Sequence, residues 1–246
     1  MVLLHVGDNH MKIGIMQPYF FPYLGYFSLI KNTDRWIFFD TVQYINKGWI
    51  NRNRILKPKE GWQYIVVPVD RSTKGAVIKD VLIDNSKPWA ETILAQLEHY
   101  KKRAPYYNDV IDFLESCFSY KTNKLSRLNI HLLENTCNYL TIDIDYEIFS
   151  EMNLKIGEVS GPGDWALRIS QAVGADIYIN PPGGVEIFDK NKYKENRIDL
   201  QFLKVNLSKY EQKRPNFEEA LSIIDVMMFN SIEEINKMLD NYETFK

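Results

Sequence analysis

The run from Lys12 to Ile55, KIGIMQPYFFPYLGYFSLIKNTDRWIFFDTVQYINKGWINRNRI, constrains the fold more than any other part of the chain. Ile13 to Met16 is a short apolar stretch that breaks at Gln17-Pro18. An aromatic loop with a second proline follows, and Leu24-Gly25-Tyr26-Phe27-Ser28-Leu29-Ile30 then reads as a short helix. A second apolar stretch, Trp36 to Phe39, stops at Asp40 and releases Gln43, Lys47, Asn51, Arg52, Asn53 and Arg54. Strand, loop, helix and strand make an α/β opening unit, and ligands of such folds collect beyond the carboxyl ends of the strands. The candidate site is therefore placed here.

The remaining chain continues the pattern. Trp62 to Val69 predicts a buried strand and Val81 to Asp84 a weaker one, with a polar turn from Asp70 to Gly75 between them. Ser86 is a candidate cap for a helix carrying Trp89, Ile93, Leu97 and Tyr100. Further helical stripes run through Tyr107, Val110, Ile111, Leu114 and Phe118, and through Leu125, Leu128, Leu132 and Tyr139. Thr141 to Phe149 alternates as a strand, with Asp143, Asp145 and Glu147 on its solvated face. Ser160-Gly161-Pro162-Gly163-Asp164 opens a helix that Gly174 ends, and the strand Asp176 to Ile179 runs into Asn180-Pro181-Pro182-Gly183-Gly184. Ile198, Leu200 and Phe202 predict one more strand, and the last segment is helical with capping boxes at Asn216/Glu219 and Ser231/Glu234. The expected architecture is α/β, a mostly parallel sheet with flanking helices and a helical insertion. Residues 1–10 read as a tail, and 11–246 as a single α/β domain with a helical subdomain at about 86–140.

Bulk properties narrow the function. A net charge of −2 with no long single-sign run leaves no footprint for nucleic acid. No apolar span approaches membrane length and no signal peptide is legible, so the cytoplasm is the expected compartment. Cys117 and Cys137 lack metal spacing and read as buried thiols in a reducing environment. His99 and His131 lie on helical stripes without ligand partners, and His5 and His10 fall in the tail; none is taken as catalytic and no metal site is expected. Asp225, between Ile224 and Val226, is the odd polar residue of a core face, reaching either the site or a buried hydrogen bond. GxSxG, HExxH, CxxC, P-loop and GxGxxG motifs are all absent, so no cofactor is assigned.

The strings QPYFFPYLGYF and DTVQYINKGWINRNRI, with the later GADIY strand running into PPGG, resemble the WbqC-like family of bacterial polysaccharide-locus proteins. The likeness covers nearly the whole chain from Lys12 onward. It implies a place in surface-polysaccharide biosynthesis, the O-antigen of lipopolysaccharide, and leaves the reaction open.

The residues themselves narrow the chemistry. Lys47 and Arg52 offer a clamp for a diphosphate; Gln17, Gln43, Asn51 and Asn53 offer amides for sugar hydroxyls or a base edge; Asp40 offers a general base. Asn180 with Gly183 and Gly184 ends a strand where a ligand can approach the backbone, though a tight turn explains the same residues equally. Tyr23-Leu24-Gly25-Tyr26 sits where nucleotidylyltransferases of the HIGH type carry His-x-Gly-His, with Tyr26 as a candidate catalytic hydroxyl. The leading expectation is a transferase placing an acyl or aminoacyl group, from a thioester or carrier protein, on a nucleotide-linked amino sugar. A nucleotidylyltransferase-like enzyme and a non-catalytic glycan-assembly protein binding a sugar nucleotide or a partner are the alternatives.

Overall fold

The computed structural model describes residues 10–246; His5 and the rest of the expected tail up to residue 9 lie outside that range, and His10 is exposed. Strands β1 (Lys12–Met16), β2 (Arg35–Phe38), β5 (Tyr146–Ile148), β6 (Ile177–Asn180), β7 (Asp199–Val205) and β8 (Tyr242–Phe245) form one sheet in the order β5-β2-β1-β6-β7-β8. All pairings are parallel except β7 with β8. Counted in chain order within this sheet, that is the doubly wound arrangement, whose switch point lies between the first and fourth strands. Here those strands are β1 and β6.

Alternation along the strands covers both faces of the sheet. Trp36 and Phe38 of β2, Ile179 of β6 and Leu203 of β7 pack with helices α1 (Leu24–Lys31), α2 (Trp89–Leu97), α3 (Tyr107–Phe118), α4 (Leu125–Tyr139), α7 (Ile223–Phe229) and α8 (Ile232–Leu239). Ile13, Ile15, Ile37, Tyr178 and Phe202 face the other way, against α5 (Asp164–Val173) and Tyr193 of α6 (Lys190–Glu195). Cys117 and Cys137 sit in the first core as free thiols, pushed up to about 12 by burial. Among the described residues no helix is long and apolar enough to cross a membrane, and no group of His, Cys, Asp or Glu could hold a metal.

Several local expectations are corrected. Arg52 to Leu56 is not an open polar loop: it is strand β3, paired antiparallel with β4 (Trp62–Val66) in a separate hairpin. Alternation explains it, since Asn53 and Ile55 point inward while Arg52 and Arg54 stay half-buried. Only Tyr146–Ile148 of the expected 141–149 strand pairs, because Thr141 takes a left-handed φ of 57° and the Ile142 N–H returns to the Cys137 carbonyl, closing the end of α4. Leu82 and Ile83 make only isolated bridges. Pro88, not Ser86, precedes α2, and the Ser86 hydroxyl bonds Asp84 instead. Asn216 caps nothing; its amide donates to Glu60, and Ser222 caps α7. The Ser231/Glu234 capping box forms as expected. The closing strand β8 was not expected.

Asp225 belongs to a buried hydrogen-bond hub. Its carboxylate accepts from the Tyr100 hydroxyl at 2.6 Å, the Tyr210 hydroxyl at 2.5 Å and Gln212 Nε2 at 3.1 Å, while Tyr100 also accepts from the Leu56 N–H at 2.9 Å. Burial pushes the Asp225 carboxyl up to about 6, against the pull of these donors.

The loop after β1 is held by side chains from distant elements. Asn53 Nδ2 donates to the Phe20 and Phe21 carbonyls at 3.1 and 2.9 Å, and Asn129 Nδ2 to those of Pro18 and Ile50 at 2.8 and 2.7 Å. Ser222 Oγ donates to the Phe21 carbonyl at 2.8 Å.

Two outcomes follow from these contacts. Asn53→Ala leaves buried carbonyls short of a donor and lowers stability by about 2–4 kcal/mol in urea denaturation. For Asp225 the folded-state pKa lies above the unfolded one, so its contribution is full below about pH 4 and is lost as pH rises through about 6. Melting curves from pH 4 to 8 for wild type and Asp225→Asn should therefore diverge, the variant lacking this decline.

Candidate functional site

The loop from Gln17 to Tyr23 is where the two long sequence strings meet. Beyond the Asn53, Asn129 and Ser222 bonds, the Phe20 N–H donates to the Trp49 carbonyl at 3.0 Å and the Ile223 N–H to the Pro22 carbonyl at 2.9 Å. Phe21 is held at φ 38°, a left-handed value uncommon for a bulky residue and found where surrounding contacts over-determine the backbone. This bracing leaves Tyr19, Pro22 and Tyr23 on one wall of a cavity of about 210 Å³, with Trp49, Asn53, Arg54 and Ala220 completing it.

The cavity combines rings with a cation. Trp49 is 40% exposed, and the Arg54 guanidinium lies 5.6 Å from its ring centre and 5.1 Å from that of Trp62. One Arg54 amine donates to the Ala220 carbonyl at 3.0 Å, whereas its buried Nε has no partner among the described residues. Burial raises the Tyr19 and Tyr23 phenols, so both remain neutral hydrogen-bond donors near pH 7. Tyr23 also fills the space at the start of α1: a Cβ on Gly25 would stand 2.5 Å from the Tyr23 ring.

The sequence-selected residues divide into three places. Asn51 and Asn53 lie on the wall side of the hairpin with their amides engaged: Asn51 donates to the Val67 carbonyl and accepts from the Tyr44 hydroxyl, and Asn53 Oδ1 accepts from the Arg54 N–H. Arg52 stacks 3.9 Å from the Tyr64 ring centre and bonds the Lys47 and Gly48 carbonyls, shaping the turn that presents Trp49. Lys47 takes a left-handed φ of 63° with its side chain in solvent, and Gln43 is exposed as well. Tyr26 is 2% exposed and donates to the Gln17 carbonyl at 2.9 Å; burial raises its phenol well above 10.

Asp40 stands apart from these groups. It ends β2 at 2% exposure and accepts from the Ser150 N–H at 3.1 Å and Ser150 Oγ at 2.7 Å, tying β2 to the chain after β5. Among the described residues it makes no bond with Lys47, Arg52 or Arg54. Asn180 ends β6, next to β1, where its amide donates to the Tyr178 hydroxyl and meets Met16 Sδ at 3.9 Å. Gly184 is required by packing, since a Cβ would stand 2.3 Å from Asn180 Oδ1, while Gly183 faces open space.

The sequence points to Arg54 only in passing and to Tyr23 only through the Tyr23-Leu24-Gly25-Tyr26 comparison; Tyr19 and Trp49, which line the cavity, and Ser150, which bonds Asp40, are not among its candidates. The aromatics carried a signal in their clustering on one loop, and Ser150 in its place just past a strand end.

Known proteins agree with the sequence resemblance. No solved structure matches the chain. A protein described as uncharacterized protein Rv1507c, from Mycobacterium tuberculosis (strain ATCC 25618 / H37Rv), is 31% identical over 230 residues, covering 89% of this chain and 93% of its own. The profile of the WbqC-like protein family matches residues 17–237, a range that contains the braced loop, the aromatic cavity, Asp40 and Asn180. The chain belongs to the WbqC-like protein family.

Proposed function

We propose that this protein acts in the cytoplasm in bacterial surface-polysaccharide (O-antigen) biosynthesis, binding a nucleotide-linked amino sugar and transferring an acyl or aminoacyl group to its amine. The observation that carries the reading is the cavity of Tyr19, Tyr23 and Trp49 around Arg54, whose buried Nε lacks a partner. Flat rings accept the face of a base or a pyranose, and a guanidinium with a free donor accepts a phosphate. The exposed Lys47 offers a second cation two residues before Trp49 in the same turn.

In this reading Asp40 accepts the proton of the sugar amine as the amine attacks the acyl carbonyl. The carbonyl re-forms as the C–S bond of a thioester donor breaks, and the proton leaves with the thiolate. Asp40 must exchange its Ser150 contacts for the substrate, so the segment after β5 moves during turnover. Tyr26 and Asn53 act as positioning residues, holding the loop through the Gln17, Phe20 and Phe21 carbonyls. Gln17, Gln43, Asn51 and Arg52 lie outside the cavity lining, and Asn180, Gly183 and Gly184 border the switch point.

The burial of Asp40 favours a second reading, a non-catalytic protein that binds a sugar nucleotide or a partner without turnover. The nucleotidylyltransferase-like alternative draws on the doubly wound strand order but loses its second hydroxyl, because Tyr26 is enclosed and engaged.

Thermal shift against nucleotide-linked amino sugars, nucleoside triphosphates with Mg²⁺ and acyl thioesters tests all three. A ligand at about 100 times its dissociation constant adds about 2.7 kcal/mol. The expected result is a shift with an amino-sugar nucleotide that Arg54→Ala weakens roughly 10- to 100-fold, with Trp49→Ala, at an exposed position, giving a loss in the same direction. A shift with triphosphate alone overturns the transfer reading. Asp40→Asn that keeps binding and abolishes product supports transfer, whereas product formation undiminished in Asp40→Asn removes Asp40 as the base.

A further inference from the structure

A second cavity, of about 220 Å³, lies where the Ser160-Gly161-Pro162-Gly163 loop meets α6. Helix α5 leads directly into β6, a parallel strand, and so its first turn stands at the carboxyl edge of the sheet, where α/β ligands collect. The loop is packed onto the chain that follows β6: a Cβ on Gly163 would stand 2.2 Å from the Ile187 carbonyl oxygen. None of the residues lining the Arg54 cavity contributes to this one.

Its wall carries an unsatisfied group. Tyr193 is 1% exposed, and its hydroxyl has no hydrogen-bond partner among the described residues. A buried hydroxyl left unpaired costs free energy that a bound ligand recovers. The phenol stays protonated because burial raises it, as do the charges of neighbouring Tyr178 and Asp164, so it remains a neutral donor and acceptor.

The charged groups around it are ordered. Asp164, 7% exposed, accepts from Lys192 Nζ at 2.9 Å and from the Ser160 N–H at 3.0 Å. Asp189 accepts from the Asn191 and Lys192 N–H groups through one oxygen, leaving the other free. Two carboxylates against one ammonium leave an excess negative charge that attracts an amine. Lys192 and Tyr193 supply hydrogen bonds for hydroxyls, and Leu167 and Ile187 give an apolar surface for a ring face. The volume of about 220 Å³ accommodates a single ring.

We propose that this cavity is a binding site for a single amine-bearing sugar ring, recognised by Asp164, Asp189, Lys192 and Tyr193. The site stands on its own residues and does not require that the Arg54 cavity bind a nucleotide.

Saturation-transfer NMR on the whole protein with free glucosamine tests it, with glucose and N-acetylglucosamine as probes lacking the free amine. Transfer to glucosamine exceeding that to both controls supports the site. Tyr193→Phe breaks no hydrogen bond of the unliganded protein, so it should melt no lower than wild type while binding glucosamine roughly tenfold more weakly. Arg54→Ala should leave the glucosamine signal unchanged. The proposal is overturned by absence of transfer to glucosamine, by equal transfer to all three sugars, by an unchanged affinity in Tyr193→Phe, or by loss of the signal in Arg54→Ala.

Discussion

The aromatic cavity of this molecule depends on how the loop after β1 is pinned. Its carbonyls cannot pair within the loop, because two prolines and the left-handed Phe21 prevent a regular turn or ladder. Asn53 from the hairpin, Asn129 from α4 and Ser222 at the start of α7 supply the missing donors. Each of those donors is buried, so the loop has one arrangement that satisfies the polar groups on both sides. A loop fixed by three elements can hold Tyr19 and Tyr23 against Trp49 and Arg54 without a ligand to organise them.

The same requirement changes how the polar run after β2 is read. Six amides and cations in succession look like a ligand-binding surface, and half of them prove to be internal fasteners. Asn51 and Asn53 meet their hydrogen-bonding needs inside the protein, and Arg52 holds the turn at Lys47 and Gly48. Arg54 differs because one of its donors is buried and unmatched. Tyr193, on the other side of the sheet, is likewise a cavity-lining residue with a buried polar atom that has no partner among the described residues.

The doubly covered sheet was legible in the chain because period-two runs such as Trp36 to Phe38 and Ile13 to Ile15 pack both faces. Helices α1 to α5 and α8 followed from stripes and caps for the same reason: local spacing determines which side of an element is apolar. The expectations that failed involve partners distant in the chain. Strand β3 exists because β4 pairs with it, β8 because β7 offers an open edge, and residues 141–142 leave the strand because α4 closes over them.

Alone, the sequence determined an α/β chain of the WbqC-like family, since composition, periodicity and motif strings are local properties. Tertiary structure decided which of its residues meet. It joined Tyr19 and Tyr23 to Trp49 and Arg54, paired Asp40 with Ser150 and enclosed Tyr26. It also brought Asp164 to Lys192 and the unpaired Tyr193. The physical reason is that hydrogen-bond satisfaction and burial depend on contacts between segments far apart in the chain, which no local pattern records.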